Sequence, residues 1–414
     1  MTKNSTYFDS LLALECPDSS ARILPPLIYN KGEGSIVYDA DGKSYIDLTA
    51  GFAALSIGHN HPEVVSGLTN YIQNNGVWHG LGDVYASVSK VEYLDRLRAF
   101  LPGKFKKLAL SLSGSQAVEM AIKTALLKTK KPGILTLKQG YHGLDLGAMA
   151  LTGMEKFRLP FAGFSSHPSV DYIRSGESIA EIKSKIANME SKGIEVGQIL
   201  VEPVLGRYGN KHHPDGWLDA LYKFCQKSDM LLIFDEVFTG LGRTGIPFRA
   251  FKNNCDIICM GKAIGGGMPV SAIATTEEIM EAWPESEGEA IHTGTFFGHP
   301  LSCKVGLLTL DVIAKENLIE RSKKLGKVAL EFLIRELKEV SSVNEVRGEG
   351  LMLALEFKEP LMGVKMMELA KNKGVILIPS GEKGKSISIT PALNIPKDQF
   401  LKALSIICEG AKEL

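Results

Sequence analysis

Residues 231–267 read LLIFDEVFTGLGRTGIPFRAFKNNCDIICMGKAIGGG, and this stretch decides the fold. An apolar run of strand length, Met230 to Phe234, ends abruptly on two carboxylates, of which the first is Asp235. A second apolar run, Ile257 to Met260, leads to Lys262. Ligands of open α/β sheets bind at the carboxyl ends of the strands. The stretch therefore predicts two buried strands that bring an acid and a lysine to one crevice.

An acid and a lysine presented in this way are typical of sites where the amine forms a Schiff base and the carboxylate controls the charge of a bound heterocycle. Such a lysine has to be approached closely, which explains Gly261 before it and Gly265 to Gly267 after it. The alternative is that Lys262 is a surface lysine in a turn and Asp235 a helix cap. Both residues together, with the loop between them, favour the chemical interpretation.

The motif DEVFTGLGRTG at 235–245, followed by GKAIGGGMP at 261–269, resembles the central signature of the class III aminotransferases, which are pyridoxal-phosphate enzymes of fold type I. The resemblance extends over nearly the whole chain. It implies an α/β fold, with a large domain on a mainly parallel, seven-stranded sheet and a smaller α+β domain from the two chain ends. The expected division is 1–57 for the N-terminal part of the small domain, 58–300 for the large domain and 301–414 for the C-terminal part of the small domain.

The resemblance also implies roles for individual residues. Lys262 matches the lysine that binds pyridoxal 5'-phosphate, and Asp235 matches the partner of the pyridine nitrogen, so these two are the predicted catalytic residues. The remaining predicted contacts of the cofactor are Gly114 and Ser115 at the phosphate, Tyr141 and His142 on one face of the ring, Val237 on the other face, and Glu202.

The predicted phosphate site has support in the local sequence. Residues 107–112 form an apolar strand that runs into Ser113-Gly114-Ser115 and then into a helical pattern. A helix N-terminus after a turn of small residues offers free N–H groups and a positive dipole end to a phosphate. The alternative is an ordinary N-cap by Ser113 or Ser115. The matching turn of the family holds the cofactor phosphate, which favours the first interpretation.

The resemblance further implies a homodimer. Thr295, in the segment IHTGTFFGHPLSC, matches a threonine that reaches across the subunit interface to the neighbouring subunit's cofactor phosphate. A single chain would then hold an incomplete site.

Four positions depart from the family pattern, and three of them bear on the substrate. Phe238 stands where many members have a glutamine that hydrogen-bonds the hydroxyl of the cofactor ring. Ser388 stands where many members have an arginine that binds the α-carboxylate of the substrate. Arg207 replaces the glutamate that pairs with that arginine. We therefore expect Arg207 to bind a substrate carboxylate, the alternative being a solvated surface arginine. Leu144 replaces an arginine of the 4-aminobutyrate members, which argues against that substrate.

Two further residues are predicted at the substrate pocket. Phe52 lies in the segment GFAALSIGHNHP, and Trp78 lies in a polar, glycine-containing loop that borders the substrate channel in the family. The alternative is that the aromatic residue of this loop only covers neighbouring residues by packing and binds no substrate.

Composition limits the classes of partner. The chain has 414 residues, 47 basic and 47 acidic, so its net charge is zero, which argues against nucleic acid or an anionic membrane as partner. No apolar run approaches the roughly 20 residues of a membrane-spanning helix, and the N-terminus does not resemble a signal peptide. The six cysteines form no paired framework, and neither they nor the histidines have metal-ligand spacing. We therefore expect a cytoplasmic protein with reduced thiols and no metal.

The secondary structure is predicted coarsely. A hairpin is expected from the strands Ser35 to Tyr38 and Ser44 to Leu48, and a helix from Pro62. Residues 1–30 show a mixed pattern that ends in the extended Leu24-Pro25-Pro26-Leu27, and residues 151–195 are predicted as a loop and a surface helix. The repeated order of strand, loop and helix favours a mainly parallel sheet.

The predicted function is that of an aminotransferase that moves an amino group from a terminal or side-chain amine to a 2-oxo acid by a ping-pong mechanism. A racemase, epimerase or aminomutase on the same scaffold is the alternative, because Lys262 serves all of them. The glycine clusters could suggest a nucleotide-binding module. However, Gly265 to Gly267 follow the lysine, so neither a P-loop nor a dinucleotide fingerprint is present. A non-catalytic binding protein is expected to lack Lys262 or Asp235.

Overall fold

The computed structural model describes residues 2–19, 25–81 and 84–414. Its strands are β1 (Tyr29–Glu33), β2 (Ile36–Asp39), β3 (Ser44–Asp47), β4 (Lys107–Ser111), β5 (Gly133–Leu137), β6 (Val170–Ile173), β7 (Val196–Val201), β8 (Val204–Leu205), β9 (Lys211–His212), β10 (Leu231–Asp235), β11 (Ile257–Met260), β12 (Ser271–Thr275), β13 (Val343–Glu349), β14 (Met352–Phe357), β15 (Val375–Ile376), β16 (Ile378–Ser380) and β17 (Ser386–Ile389).

The α-helices are α1 (Lys3–Leu14), α2 (Ala50–Ala53), α3 (Pro62–Gln73), α4 (Val88–Arg98), α5 (Gly114–Thr129), α6 (Leu146–Leu151), α7 (Glu155–Arg158), α8 (Ala162–Ser165), α9 (Ile179–Glu190), α10 (Trp217–Lys227), α11 (Glu277–Met280), α12 (Pro300–Lys315), α13 (Leu318–Leu337), α14 (Met362–Asn372) and α15 (Lys397–Glu413). In the described ranges, none of these helices is both long enough and apolar enough to cross a membrane.

The central sheet has the strand order β4-β12-β11-β10-β7-β5-β6. Strands β11, β10, β7, β5 and β6 run parallel to one another, whereas β12 pairs antiparallel with both β11 and β4. The predicted mainly parallel sheet is therefore confirmed, with β12 as the one reversed strand among the described residues.

Strand β10 lies in the middle of this sheet and is covered on both faces. Leu232 and Phe234 pack into a hydrophobic cluster that includes α10, whereas Ile233 packs into a second cluster with α5. All three side chains are completely buried. Burial on both faces requires a continuous apolar strand, which is why the sequence from Met230 to Phe234 contains no polar residue.

The two chain ends combine in a smaller α+β unit, as predicted. The hairpin of β2 and β3 forms with the expected antiparallel pairing, and β15 then joins β3 in parallel, with Val375 opposite Ile46. A second sheet of the order β13-β14-β17-β16 is antiparallel and packs against α13 and α14. The fold class is thus confirmed, while the boundaries at residues 58 and 301 stay a prediction.

Several local predictions missed structure. Residues 1–30 contain the helix α1, capped by Thr2, whose Oγ1 accepts a hydrogen bond from the N–H of Ser5 at 3.2 Å, and also the strand β1. Leu24 of the predicted extended lead-in lies outside the described residues. The region 151–195 contains the expected helix α9 but also β6, which the prediction had as loop.

Candidate active site

A cavity of about 500 Å³ lies at the carboxyl ends of β10 and β7. All but two of the predicted site residues line it, although they come from distant parts of the chain: Phe52, Gly114, Ser115, Tyr141, His142, Glu202, Arg207, Asp235, Val237 and Lys262. The residues that do not line it are Trp78 and Thr295, both exposed on the surface of the chain.

Lys262 follows β11 directly and projects into the cavity. Its backbone φ is +46°, a left-handed conformation that residues other than glycine rarely adopt. Burial lowers the pKa of its amine, and Arg207 lowers it further, whereas the carboxylates of Asp235 and Glu202 oppose this change. A lowered pKa leaves more of the amine neutral, and the neutral amine is the nucleophile.

Asp235 ends β10 and is held in one orientation. Its Oδ2 lies 2.8 Å from Nδ1 of His142, and its Oδ1 accepts a hydrogen bond from the N–H of Val237 at 3.1 Å. The backbone N–H of His142 donates a hydrogen bond to Oγ1 of Thr152 at 3.0 Å. A fixed, buried carboxylate of this kind is suited to holding a proton on the nitrogen of a heterocycle.

The helix α5 begins at the cavity, which Gly114 and Ser115 line. Oγ of Ser113 caps it by accepting a hydrogen bond from the N–H of Gln116 at 3.2 Å. The N–H groups of Gly114 and Ser115 belong to the first turn and have no intrahelical acceptor, so they can bind an anion. Both interpretations of this turn therefore apply. Ser113 caps the helix, and Gly114 and Ser115 line the cavity.

The side chain of Ser115 is hydrogen-bonded to Asp145, another acid that lines the cavity. Its Oγ donates a hydrogen bond to Oδ2 of Asp145 at 2.7 Å. Asp145 could not be predicted from the sequence, because a lone acid five residues beyond Gly140 carries no recognisable pattern. The backbone N–H of Ser115, rather than its hydroxyl, is thus the group that remains for an anion.

Tyr141 and Val237 also line the cavity. The N–H of Tyr141 donates to Oε1 of Glu202 at 2.9 Å, and the N–H of Gly206 donates to Oε2 of Glu202 at 3.0 Å. Burial raises the pKa of the Glu202 carboxyl to about 7, despite these hydrogen bonds and the nearby His142. A side chain at Gly114 would fill the space beside Val237, because its Cβ would lie 2.8 Å from Cγ1 of Val237.

These observations test whether pyridoxal phosphate fits. The cavity is lined by Tyr141 and Val237, by the N-terminus of α5 at Gly114 and by a buried carboxylate, Asp235. The amine of Lys262 enters the same space. This cofactor needs an anion site for its phosphate, a carboxylate beside its ring nitrogen and an amine that binds it. The cavity contains all three, so the residues present fit the cofactor.

Neutral groups stand at two of the positions that depart from the family pattern, Ser388 and Phe238. Ser388 lines the cavity, and its Oγ accepts a hydrogen bond from Nδ2 of Asn210 at 3.0 Å. Phe238 packs against Gly206, where a Cβ would come within 2.3 Å of its ring, and Nζ of Lys262 lies 4.5 Å from the ring centroid. The wall next to Ser388 also contains three residues that sequence reasoning missed, namely Ile378, Ser380 and Thr390.

Phe52 reaches the cavity from a strained segment. It lies in α2 with φ of +58° and ψ of +37°, and the flanking residues Ala50 and Ala53 also have positive φ. Non-glycine residues in this conformation cost of order 1 kcal/mol or more and cluster at functional sites. The segment therefore belongs structurally to the site, although only the segment's place in the family pattern pointed to it.

Fold and site together define a pyridoxal-phosphate-dependent transferase of fold type I. The family model described as Aminotransferase class-III matches residues 18–409, and the chain belongs to this family. It is 32% identical to the acetylornithine aminotransferase of Methanothermobacter thermautotrophicus over 388 residues, which are 92% of this chain and 93% of that protein. It is also 32% identical to the 5-aminovalerate aminotransferase DavT of Pseudomonas aeruginosa, with 94% of each chain covered.

Solved structures show the same likeness. An aminotransferase of Bacillus anthracis superposes with a TM-score of 0.88 at 26% identity over 100% of both chains. The ornithine aminotransferase of Plasmodium yoelii superposes with a TM-score of 0.82, also at 26% identity and full coverage of both chains. The protein is therefore a pyridoxal-phosphate-dependent aminotransferase, as the sequence predicted.

Proposed function

We propose that this aminotransferase takes an amino group from a terminal or side-chain amine and gives it to a 2-oxo acid by a ping-pong mechanism. The observation that carries the proposal is Ser388, a neutral hydroxyl where many members clamp an α-carboxylate with arginine. The names of two relatives, acetylornithine and 5-aminovalerate aminotransferase, point to donors whose amine ends an alkyl chain.

In the proposed reaction, each residue of the cavity has a separate role. When bound, pyridoxal phosphate supplies a ring that withdraws electrons from the substrate carbon. Lys262 holds the cofactor between turnovers and then moves a proton from the substrate carbon as general base and acid. Asp235 keeps a proton on the ring nitrogen. Gly114 and Ser115 bind the phosphate through their N–H groups, and Tyr141 and Val237 enclose the ring.

Arg207 is part of the proposal as the group that binds a substrate carboxylate. It lines the cavity next to Tyr141, with Cζ 5.5 Å from the ring centroid, which supports a role inside the site rather than in solvent. Phe52 and Trp78 complete the proposed substrate pocket.

The proposed homodimer places Thr295 at the partner subunit's phosphate. In support, Thr295 is exposed and lies outside its own chain's cavity. The segments around it carry exposed apolar side chains, among them Trp78, Ile291 and Phe296, and His79 joins the two segments through an edge-to-face contact with Phe296 at 5.3 Å. Exposed apolar surface of this kind marks an interaction site.

Hybrid dimers test this arrangement. Lys262→Ala and Thr295→Glu subunits are each expected to form inactive dimers, and mixing them is expected to restore activity, because one site of each hybrid then has both native residues. Absence of restored activity in mixtures whose hybrids are verified by mass spectrometry would refute the shared site.

The test of the reaction is the visible absorption spectrum of the protein with pyridoxal phosphate, recorded while amines are added without a 2-oxo acid. Transamination predicts that an effective amine bleaches the band of the lysine-bound cofactor and yields the pyridoxamine form. A reversible change without pyridoxamine would favour a racemase, epimerase or aminomutase. Absence of the band would contradict the role of Lys262.

We also propose a cytoplasmic location. The cysteines of the described residues are all unpaired, and all except Cys16 are buried. Unpaired thiols are typical of reducing compartments.

A further inference from the structure

Arg207 is held by aromatic rings instead of by an acid. Its Cζ lies 5.5 Å from the ring centroid of Tyr141 and 5.7 Å from that of Phe157. Within the described residues, Arg207 forms no ion pair. Stacking on rings leaves the N–H edge of a guanidinium free, and that edge binds carboxylate or phosphate in a bidentate manner. The cavity therefore contains a cation whose natural partner is not supplied by the described parts of the chain.

Ser380 offers a donor next to Arg207. It ends β16, is only 8% exposed and lines the same cavity. Its Oγ has no hydrogen-bond partner among the described residues. The N–H of the next residue, Gly381, donates to the carbonyl of Arg207 at 3.0 Å, which ties β16 to the arginine loop. The Oγ atom is itself buried, so a rotation of the side chain would bring it to a ligand oxygen, and that contact would satisfy an otherwise unpaired hydroxyl.

Lys156 adds a second positive charge. Its Nζ lies 4.7 Å from the ring centroid of Phe157, the same ring that Arg207 contacts. Lys156 is an exposed residue, but partial burial of its amine lowers the pKa of that amine, and the charge of Arg207 lowers it further. Lys156, like Arg207, forms no ion pair with any residue that the structure describes. Two neighbouring cations that repel each other gain most from a shared anion.

We propose that Arg207, Ser380 and Lys156 form one oxyanion-binding subsite at the edge of the cavity, which receives a carboxylate or phosphate group carried by the substrate. Arg207 and Ser380 donate hydrogen bonds to the oxyanion, and Lys156 attracts it from outside the cavity lining. The inference rests on the proposed function, because it assigns the anionic group to a substrate of the amino transfer.

The test uses ligands that cannot be transaminated. Glutarate and propyl phosphate have neither an amine nor an oxo group, and 1,5-pentanediol is an uncharged match for glutarate. Binding of each to the enzyme loaded with pyridoxal phosphate is measured by isothermal titration calorimetry. The two anions are expected to bind and the diol is not. Tighter binding of glutarate would assign the subsite to carboxylates, and tighter binding of propyl phosphate would assign it to phosphates.

Three variants locate the subsite. Loss of a charge-assisted hydrogen bond in Arg207→Gln is expected to weaken binding of the better anion roughly 10- to 100-fold. Ser380→Ala is expected to weaken it roughly 2- to 10-fold through loss of a neutral hydrogen bond, and Lys156→Gln roughly 2- to 5-fold through loss of an exposed charge. Arg335→Gln and Lys183→Gln are matched controls, because these cations also lie over phenylalanine rings but away from the cavity.

The inference is overturned if neither anion binds the wild-type enzyme, or if Ser380→Ala and Arg207→Gln bind the anions as the wild type does. Should Arg207→Gln fail to retain the cofactor band, Ser380→Ala and Lys156→Gln decide the matter. Because the probes do not react, a negative result here leaves the spectral test of transamination unaffected, and failure of transamination leaves these binding data valid.

Discussion

Nδ1 of His142 lies 2.8 Å from Oδ2 of Asp235, and both side chains are almost completely buried. The second oxygen of the same carboxylate accepts the N–H of Val237. Asp235 is thus fixed from two directions by residues that also form the walls of the cavity. The orientation of the carboxylate and the shape of the space for the ring are therefore set by the same contacts.

Asp235→Asn should retain the cofactor and lose most of its activity. An amide keeps the size of the side chain but cannot hold a proton on the ring nitrogen, so we expect kcat to fall by roughly 100-fold or more, the lower end of what a positioned proton-transfer group contributes. Absorbance of bound cofactor and steady-state kinetics measure the two properties. Asp229→Asn, an exposed acid just before β10, is the control. An unchanged kcat in Asp235→Asn would refute the role.

Lys262→Ala should abolish turnover, because no other amine lines the cavity within the described residues. Borohydride reduction followed by peptide mass spectrometry gives a direct readout. The peptide with Lys262 is expected to gain the mass of the reduced cofactor in the wild type, and the variant is expected to show no such adduct. Lys252→Ala, an exposed lysine in the preceding loop, should behave as the wild type. Normal turnover of Lys262→Ala would exclude the mechanism.

Stability should fall as pH rises through 7 because of Glu236. Burial raises the pKa of this carboxyl to about 7, although the N–H groups of Arg249 and Ala250 donate to it. A folded-state pKa above the unfolded value means that the native state binds more protons, so its stabilising contribution is complete at low pH and is lost towards high pH.

Glu236→Gln removes this titration. The variant is expected to be less stable than the wild type by a margin that shrinks by roughly 2–3 kcal/mol between pH 5 and pH 8. Urea unfolding at a series of pH values measures the margin. Glu202, with a pKa also near 7, titrates in both proteins and cancels in the difference. A margin independent of pH would show that Glu236 ionises normally in the folded protein.

Gly326→Ala should destabilise the packing of α13. A Cβ at this position would lie 1.9 Å from the carbonyl oxygen of Gly350, which belongs to the turn between β13 and β14. Backbone cannot rotate away as a side chain can, so we expect a loss of roughly 1–3 kcal/mol and a lower Tm. Gly103→Ala is the control, because a Cβ there would meet no atom within 4 Å. Equal Tm values for the two variants would contradict the predicted clash.

The central strands and the hairpin could be predicted because their signals are local. Apolar runs of strand length define β10 and β11, and the turn around Asp41 defines the pairing of β2 with β3. Strand β6, with the sequence VDYI, lies at the edge of the sheet and is only partly buried, so its apolar pattern is weak. Helix α1 is also held by a long-range contact, the hydrogen bond from Nδ2 of Asn4 to Asp39 at 2.9 Å.

In the candidate site, too, residues in local motifs could be predicted, whereas residues brought in by long-range folding could not. Lys262 and Asp235 stand in a recognisable motif, but Ser380 and Ile378 approach them only because β16 folds back over more than a hundred residues of chain. No local pattern distinguishes a serine that faces a cavity from one that faces solvent. Trp78, chosen for its loop, lies outside the cavity of a single chain, and its place in the substrate pocket stays a prediction.

The parallel pairing of β15 with β3 has a consequence for biosynthesis. Val375 must meet Ile46, so the N-terminal hairpin leaves the ribosome long before its partner strand exists. At roughly 5–20 residues per second, the intervening chain takes roughly 15–70 s to translate. During that interval the edge of β3 is an unpaired template for association with other nascent chains. The hairpin therefore exposes an unpaired strand edge until most of the chain has been made.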